Sequence, residues 1–384
     1  MRGLYLRVPH ATGVMAPRER WWAWRNRLLG SARFRAWATA FPPTRPIAQR
    51  RAREVFDLCA GFVYSQVLFA CVQLRVFDLL GNRAQPLPVL ARRLKLSEES
   101  AARLLDAAVG LRLVARLPDG RYGLGELGAA IAGNPAVDAM VAHHELLYAD
   151  LRDPVALLRG DTGLTELARY WPYAAGHSAA DLADDKVAAY SALMSASQSL
   201  IADEVLAAYD FTRHRRLLDV GGGQGTFLLA AAAKAPALDL VLFDLPAVAE
   251  RARLALAAAG LGARATCIGG DFLGDALPAG ADLVTLIRVL HDQDDAGALA
   301  LLRAVRRAMP ANGTLLVAEP LAETPGAERM GHVYFGFYLL AMGRGRPRSG
   351  AANVGLLRAA GFAHAAPLQT RLPLQTGLIV ARAC

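Results

Sequence analysis

A chain of 384 residues that is 54% hydrophobic can bury two substantial cores, so two domains are expected, with room for an N-terminal extension. The four cysteines, Cys59, Cys71, Cys267 and Cys384, form no C-x-x-C pair and no regular framework, which excludes a disulfide scaffold and fits reduced thiols in a protein made and kept inside the cell. No uninterrupted apolar run reaches the roughly 18 to 20 residues of a bilayer crossing, and the N-terminus lacks the apolar segment of a secretion signal.

The formal charge of +9 is unevenly placed. Residues 1–17 show no periodicity and are expected to be disordered. Between Arg18 and Arg53 stand ten arginines and one acid, Glu19, interleaved with Trp21, Trp22, Trp24, Phe34, Trp37 and Phe41. Arginine alternating with tryptophan suits a bilayer interface, where indole sits among headgroups and guanidinium meets lipid phosphate. A solvated helix docking on a partner subunit fits residues 18–41 equally well. Nucleic acid is not an expected partner.

Residues 50–80 carry apolar side chains at intervals of three and four and predict a helix. Residues 86–128 read as a winged helix: LPVLARRLKL, a cap at Ser97, the helix EESAARLLDAAVG, and a hairpin turning at Asp119-Gly120. A winged helix alone would admit a DNA-binding regulator. Its recognition helix, however, carries Glu98, Glu99 and Asp106 where phosphates and base edges would lie. His143 and His144 are adjacent on a helix and point apart, with no acid cluster nearby, so they are packing or surface residues and no metal site is expected.

The run LLDVGGGQG, Leu217 to Gly225, ends an apolar strand in an acid and then places glycines at every second position. That pattern hands a strand over to a helix through a turn tight enough for a ligand to lie on the backbone. A dinucleotide site wants G-x-G-x-x-G, but here the sixth position is Thr226. The D-x-G-x-G-x-G spelling instead resembles motif I of class I S-adenosylmethionine (SAM) methyltransferases. Acids recur at the ends of the following apolar runs: Asp244 roughly twenty residues on, where a carboxylate can take two ribose hydroxyls, then Asp271 beside Phe272. His291 follows the fourth run and Glu319 ends the fifth.

Strands are expected near 217–221, 239–244, 264–268, 282–289 and 314–319, with helices near 225–235, 246–259 and 293–309. The runs AHAAPLQ and TGLIVARA suit an antiparallel hairpin at the sheet edge, turning at Pro373. The expected fold class is α/β, a Rossmann-like doubly wound sheet with an antiparallel C-terminal hairpin, preceded by a helical winged-helix domain. We divide the chain into an extension (1–45), a helical winged-helix domain (46–185), which the resemblance described next makes the dimerisation domain, and a methyltransferase-like domain (186–384).

LLDVGGGQG, FDLP, GGDF, a strand ending in HD, and LLVAEP, behind a winged helix, resemble the plant-type and acetylserotonin-type O-methyltransferases across residues 50–384. The N-terminal run RWWAWRNRLLG onward is similar to the carotenoid branch of that family, the hydroxyneurosporene or demethylspheroidene O-methyltransferases. The resemblance implies SAM as cofactor, a homodimer formed through the N-terminal helices, and a hydrophobic small-molecule acceptor. It places Asp219, Gly221, Gly223, Asp244, Leu245, Asp271, Phe272 and Arg288 at the cofactor, with arginine standing where the family usually has lysine. It assigns His291 as general base and Glu319 as its orienting carboxylate, and Met194, Phe337, Tyr338 and Met342 to the acceptor site. Asp292 matches the acid after the base, though Asp292, Asp294 and Asp295 also begin a helix that needs a cap. The family's second orienting glutamate should precede an Arg-Thr pair; here Pro347 precedes Arg348-Ser349, and no acid follows Glu328. His291 is therefore expected to work with one orienting carboxylate. Residues 327–343 are expected to form one helix, apolar on nearly every face, that lines the acceptor pocket.

Overall fold

The computed structural model describes residues 16–81, 83–171, 198–374 and 376–383. Among these, the N-terminal part is helical. Helices α1 (Pro17–Gly30) and α2 (Ala32–Ala40) precede the long α3 (Arg45–Gln73). Arg75, in a left-handed conformation, ends that run before the short helix Val76–Leu80, so the segment expected as one helix over 50–80 is two. Pro17 already lies inside α1.

α3 qualifies one expectation. By length and composition it can cross a membrane, and only 6% of its most apolar stretch is buried. Counting uninterrupted apolar letters misses this, because Tyr64, Ser65 and Gln66 break the run without adding charge.

The winged helix forms as read. Helix Leu87–Leu94 packs on helix Glu98–Gly110, whose first turn is capped by Ser97. Strands β1 (Val114–Arg116) and β2 (Tyr122–Leu124) pair antiparallel around Gly120, whose positive φ suits the turn. Asp106 faces the wing: it accepts a 2.8 Å hydrogen bond from Tyr122 Oη. Cys71, Leu90, Leu105 and Tyr122 fill the small core beneath.

The second part is a seven-stranded sheet among the described residues. Its strands are β3 (Arg216–Val220), β4 (Asp239–Asp244), β5 (Ala265–Gly269), β6 (Leu283–Ile287), β7 (Thr314–Glu319), β8 (Phe362–Leu368) and β9 (Gly377–Ala383). The order is β5-β4-β3-β6-β7-β9-β8, parallel through β7, with β9 antiparallel to both β7 and β8. Helices cover both faces, so the central strands are apolar on both. Leu218, Val220 and Val284 pack against Leu301 and Val305 on one side, while Leu217, Leu240 and Leu242 meet Phe227, Leu228 and Ala252 on the other. Burying each such side chain contributes roughly 1.5–3 kcal/mol, and this sandwich fixes where the strand ends lie.

β6 stops two residues before the expected end, because Arg288 takes a left-handed φ of 59° and its backbone N–H crosses to the Ala318 carbonyl at 2.8 Å. The segment 327–343 also departs from expectation. Arg329–Phe335 winds as a π-helix and Gly336–Met342 as an α-helix, and Arg329, His332 and Val333 are exposed, so one face is wet.

Candidate active site

The strand order reverses between β3 and β6, and open α/β sheets hold ligands at such a point, beyond the carboxyl ends of the strands. Here β3 runs into Gly221, Gly223 and Gly225, all with positive φ. A Cβ at Gly221 would also stand 2.8 Å from Val289 Cγ2, whereas at Gly223 it would meet nothing within 4 Å. The turn is thus packed below and open at Gly223.

Two acids converge on it. Asp244 ends β4; its Oδ2 accepts from Gly223 N at 2.8 Å and its Oδ1 from Leu245 N at 2.7 Å, while Leu245 opens the helix Pro246–Ala258. Burial raises its pKa to about 6 against the pull of those two donors. Asp219 is 1% exposed. Its Oδ1 accepts from Thr285 Oγ1 at 2.6 Å, and its Oδ2 has no hydrogen-bond partner among the described residues. Burial, with Asp244 adding to it and Thr285 opposing it, pushes Asp219 up to about 7. Neighbouring buried carboxylates resist joint ionisation, so the crevice favours a ligand that brings hydroxyl donors and positive charge. A nucleoside with a cationic tail fits that demand.

Asp271 and Phe272 follow β5. Asp271 is exposed and its Oδ1 accepts from Leu273 N at 2.9 Å, while Phe272 is half-buried against the sheet.

His291 lies in a single 3-10 turn, Leu290–Asp292, and is 7% exposed. Its Nδ1 is 2.5 Å from Glu319 Oε2 at the end of β7. The other oxygen, Oε1, accepts from Val289 N at 3.0 Å and Leu290 N at 2.7 Å. On the opposite edge of the ring, Nε2 is 3.1 Å from Asp292 Oδ1. Glu319 is the carboxylate that hydrogen-bonds and orients the ring, and a second carboxylate, from the next residue in sequence, stands beside Nε2 as a charge. Asp292 is not a helix cap; Asp294 is, accepting from Gly297 N at 2.7 Å. Burial alone would lower the His291 pKa, but Asp292 and Glu319 outweigh it and hold the pKa above its ordinary value. Burial also raises Asp292, against the pull of His291.

The residue that motif reading missed is Arg348. Its side chain is buried, with Nη1 donating to the Leu290 carbonyl at 2.8 Å, Nη2 to the Gln293 carbonyl at 2.7 Å and Nε to Asp295 Oδ1 at 2.8 Å. Those carbonyls bracket His291, so one guanidinium clamps the turn that carries it. The chain before it closes in as well: Arg346 N donates to the His291 carbonyl at 2.8 Å. Gly345 has φ +83°, and a Cβ there would overlap that same carbonyl. The glycines of GRGRPRSG mark a close backbone approach, but nothing in that stretch names the partners of Arg348.

Of the expected acceptor residues, Met194 lies outside the described residues. Phe337 is half-buried, while Tyr338 and Met342 sit in a closed cluster with Leu147, Leu167 and Trp171. Trp171 Nε1 donates to Tyr338 Oη at 3.0 Å, so the tyrosine proton goes to His143 Nε2 at 2.7 Å. Burial, helped by His144, lowers His143 to about 4 and keeps it neutral as that acceptor. His144 meets Tyr334 Oη at 2.7 Å. Both histidines are packing residues that tie the winged-helix part to the segment 329–342, and no group able to hold a metal occurs among the described residues. The ring that reaches His291 is Phe335, edge-on with centroids 5.8 Å apart.

A parallel sheet closed by an antiparallel last strand, with a glycine turn and acids at its strand ends, is the methyltransferase variation on the doubly wound fold. An O-methyltransferase domain model matches residues 148–363 and an O-methyltransferase dimerisation domain model residues 56–133. The chain belongs to the O-methyltransferase family. Demethylspheroidene O-methyltransferase of Cereibacter sphaeroides is 45% identical over 337 residues, 88% of either chain. The enzyme of the same name from Rhodobacter capsulatus is 40% identical, covering 87% of this chain and 83% of that one. Human N-acetylserotonin methyltransferase, solved with SAM, superposes with a TM-score of 0.70 at 25% identity over 87% of this chain and 97% of its own.

Proposed function

We propose that this chain is a SAM-dependent O-methyltransferase whose acceptor is the tertiary C1 hydroxyl of an acyclic hydroxycarotenoid, with S-adenosylhomocysteine as second product. The observation that carries the chemistry is His291, buried between two carboxylates beside the cofactor crevice. The acceptor class comes from the two demethylspheroidene enzymes. Phe335 and the apolar segment around it supply a wall suited to a polyene.

Asp244 is set to accept the ribose hydroxyls, Gly221 and Gly223 to let the cofactor lie on the backbone, and the unpartnered oxygen of Asp219 to favour its cationic end. We assign Asp271 and Phe272, which follow β5, to the adenine, and Arg288 lies close enough to His291 and Asp292 to act on their charges. When bound, SAM supplies an electrophilic methyl group on a sulfonium. The protein's task is then alignment, worth roughly 7–11 kcal/mol, and proton removal. An aliphatic alcohol is far less acidic than imidazolium, so His291 cannot ionise it beforehand. It takes the proton at Nε2 as the new O–C bond forms, a contribution of roughly 10²–10⁴-fold. Glu319 fixes the tautomer by accepting Nδ1–H, and Asp292 faces the nitrogen that becomes charged.

The dimerisation domain and the exposed α3 support a homodimer. A lipid-dissolved acceptor and the unpaired Cys59, Cys71 and Cys267 support a cytoplasmic enzyme working at a membrane surface. We divide the chain at residue 45, where α3 begins, and at residue 185, which lies outside the described residues. The test is to incubate the protein and methyl-labelled SAM with acyclic hydroxycarotenoids and, separately, with phenols and polyketide hydroxyls. Labelled carotenoid ether supports the reading; label on the phenols alone replaces it with a small-aromatic acceptor.

A further inference from the structure

Helices α1 and α2 take no part in the chemistry and precede the dimerisation domain, which begins at Phe56. α1 buries no residue, and Trp21, Trp22, Trp24 and Trp37 are each 50–58% exposed. Leaving indole rings in water is unfavourable by the apolar area they show, so the surface is built for a partner. On α1 the positions 21, 24 and 28 follow at three- and four-residue spacing, and Trp22 with Leu29 widens the same arc. On α2 the Phe34 ring lies tilted against Trp37 at 5.6 Å between centroids, and Trp37 stacks on Phe41, just past the helix end, at 5.2 Å. Arg25 lies over the Trp21 ring at 5.3 Å. Arg18, Arg20, Arg27 and Arg33 are exposed between them, and the only acid of either helix is Glu19.

We propose that α1 and α2 are a bilayer-docking surface for anionic lipid, an inference that rests on the reading of a lipid-dissolved acceptor. Charge decides the occupant. A symmetric contact between two copies would set this arginine surface against itself, whereas anionic headgroups offer the acids it lacks. Indole and guanidinium side by side match the headgroup layer, where an apolar ring and a charge are accommodated at one depth. α3 from Phe56 onward falls within the dimerisation domain and is left to the partner subunit. The enzyme would then rest on the membrane that holds its acceptor.

The experiment is co-sedimentation of the full chain with vesicles of phosphatidylcholine alone or mixed with phosphatidylglycerol, with no carotenoid present, so its result is independent of the acceptor. Two full-length variants accompany it: one carrying Trp21→Ser, Trp22→Ser, Trp24→Ser and Trp37→Ser, the other Arg18→Gln, Arg20→Gln, Arg27→Gln and Arg33→Gln. All eight positions are exposed, and light scattering checks the oligomeric state. The unchanged protein should partition onto the mixed vesicles at least about tenfold better than onto phosphatidylcholine, each variant should lose most of that, and salt should weaken the tryptophan variant further, through its remaining arginines. Equal partition of all three proteins overturns the proposal. So does a variant that keeps its vesicle binding but falls to monomer, which makes these helices a dimer arm.

Discussion

Glu319 holds His291 by both of its oxygens: Oε2 lies 2.5 Å from the imidazole Nδ1, while Oε1 takes the backbone N–H of Val289 and of Leu290, the two residues before it. One carboxylate thereby sets the ring's tautomer and the path of the chain into it. Glu319→Gln keeps the shape but puts an amide against Nδ1, so kcat should fall roughly tenfold or more while SAM affinity holds. Steady-state kinetics with calorimetry checks the split, and an unchanged kcat would remove Glu319 from the mechanism.

The pH profile should report the neighbour on the other edge of the ring. His291 acts as a base only when neutral, and Asp292 with Glu319 raises its pKa despite burial. The acid limb of kcat/KM should therefore lie above the imidazole's usual value of about 6.5. Asp292→Asn removes a charge that favours the protonated ring, so the limb should move to lower pH. A limb that stays in place would assign it to another group.

Cofactor binding should titrate separately. Asp244 carries a pKa of about 6, and hydroxyl donors need its carboxylate ionised, so SAM affinity should weaken as pH falls through that value. Asp244→Ala removes hydrogen bonds to a charged group worth about 1.5–3 kcal/mol, a loss of tenfold or more by calorimetry. Unchanged affinity would overturn the ribose assignment.

Arg348→Met leaves the Leu290 and Gln293 carbonyls buried without their donor, at a cost of about 1–3 kcal/mol in stability. Because the turn they brace carries His291, kcat should drop as well, with SAM binding intact. Arg348→Lys restores charge but not the fork, and should recover stability better than turnover. Equal recovery of both would make the clamp merely structural.

How much of this was readable follows from what each feature depends on. LLDVGGGQG, Asp244, His291 and Glu319 were legible because strand ends and glycine turns leave marks at fixed local spacing. The strands over 239–244 and 314–319 coincide with the reading for the same reason. Arg348 was not, since its partners lie more than fifty residues away and nothing in its own stretch names them. The pairings of Tyr338 with His143 and of Tyr334 with His144 span nearly two hundred residues and were equally hidden. The exposure of α3 was hidden too, because hydropathy reads composition and says nothing of what covers a face.

The most direct test is single-turnover methyl transfer from labelled SAM to a detergent-solubilised acyclic hydroxycarotenoid, comparing the unchanged protein with His291→Ala. The account predicts labelled methyl ether from the unchanged protein and a rate roughly 10²–10⁴-fold lower from the variant at equal SAM occupancy. Near-equal rates, or no labelled ether from either protein, would contradict it.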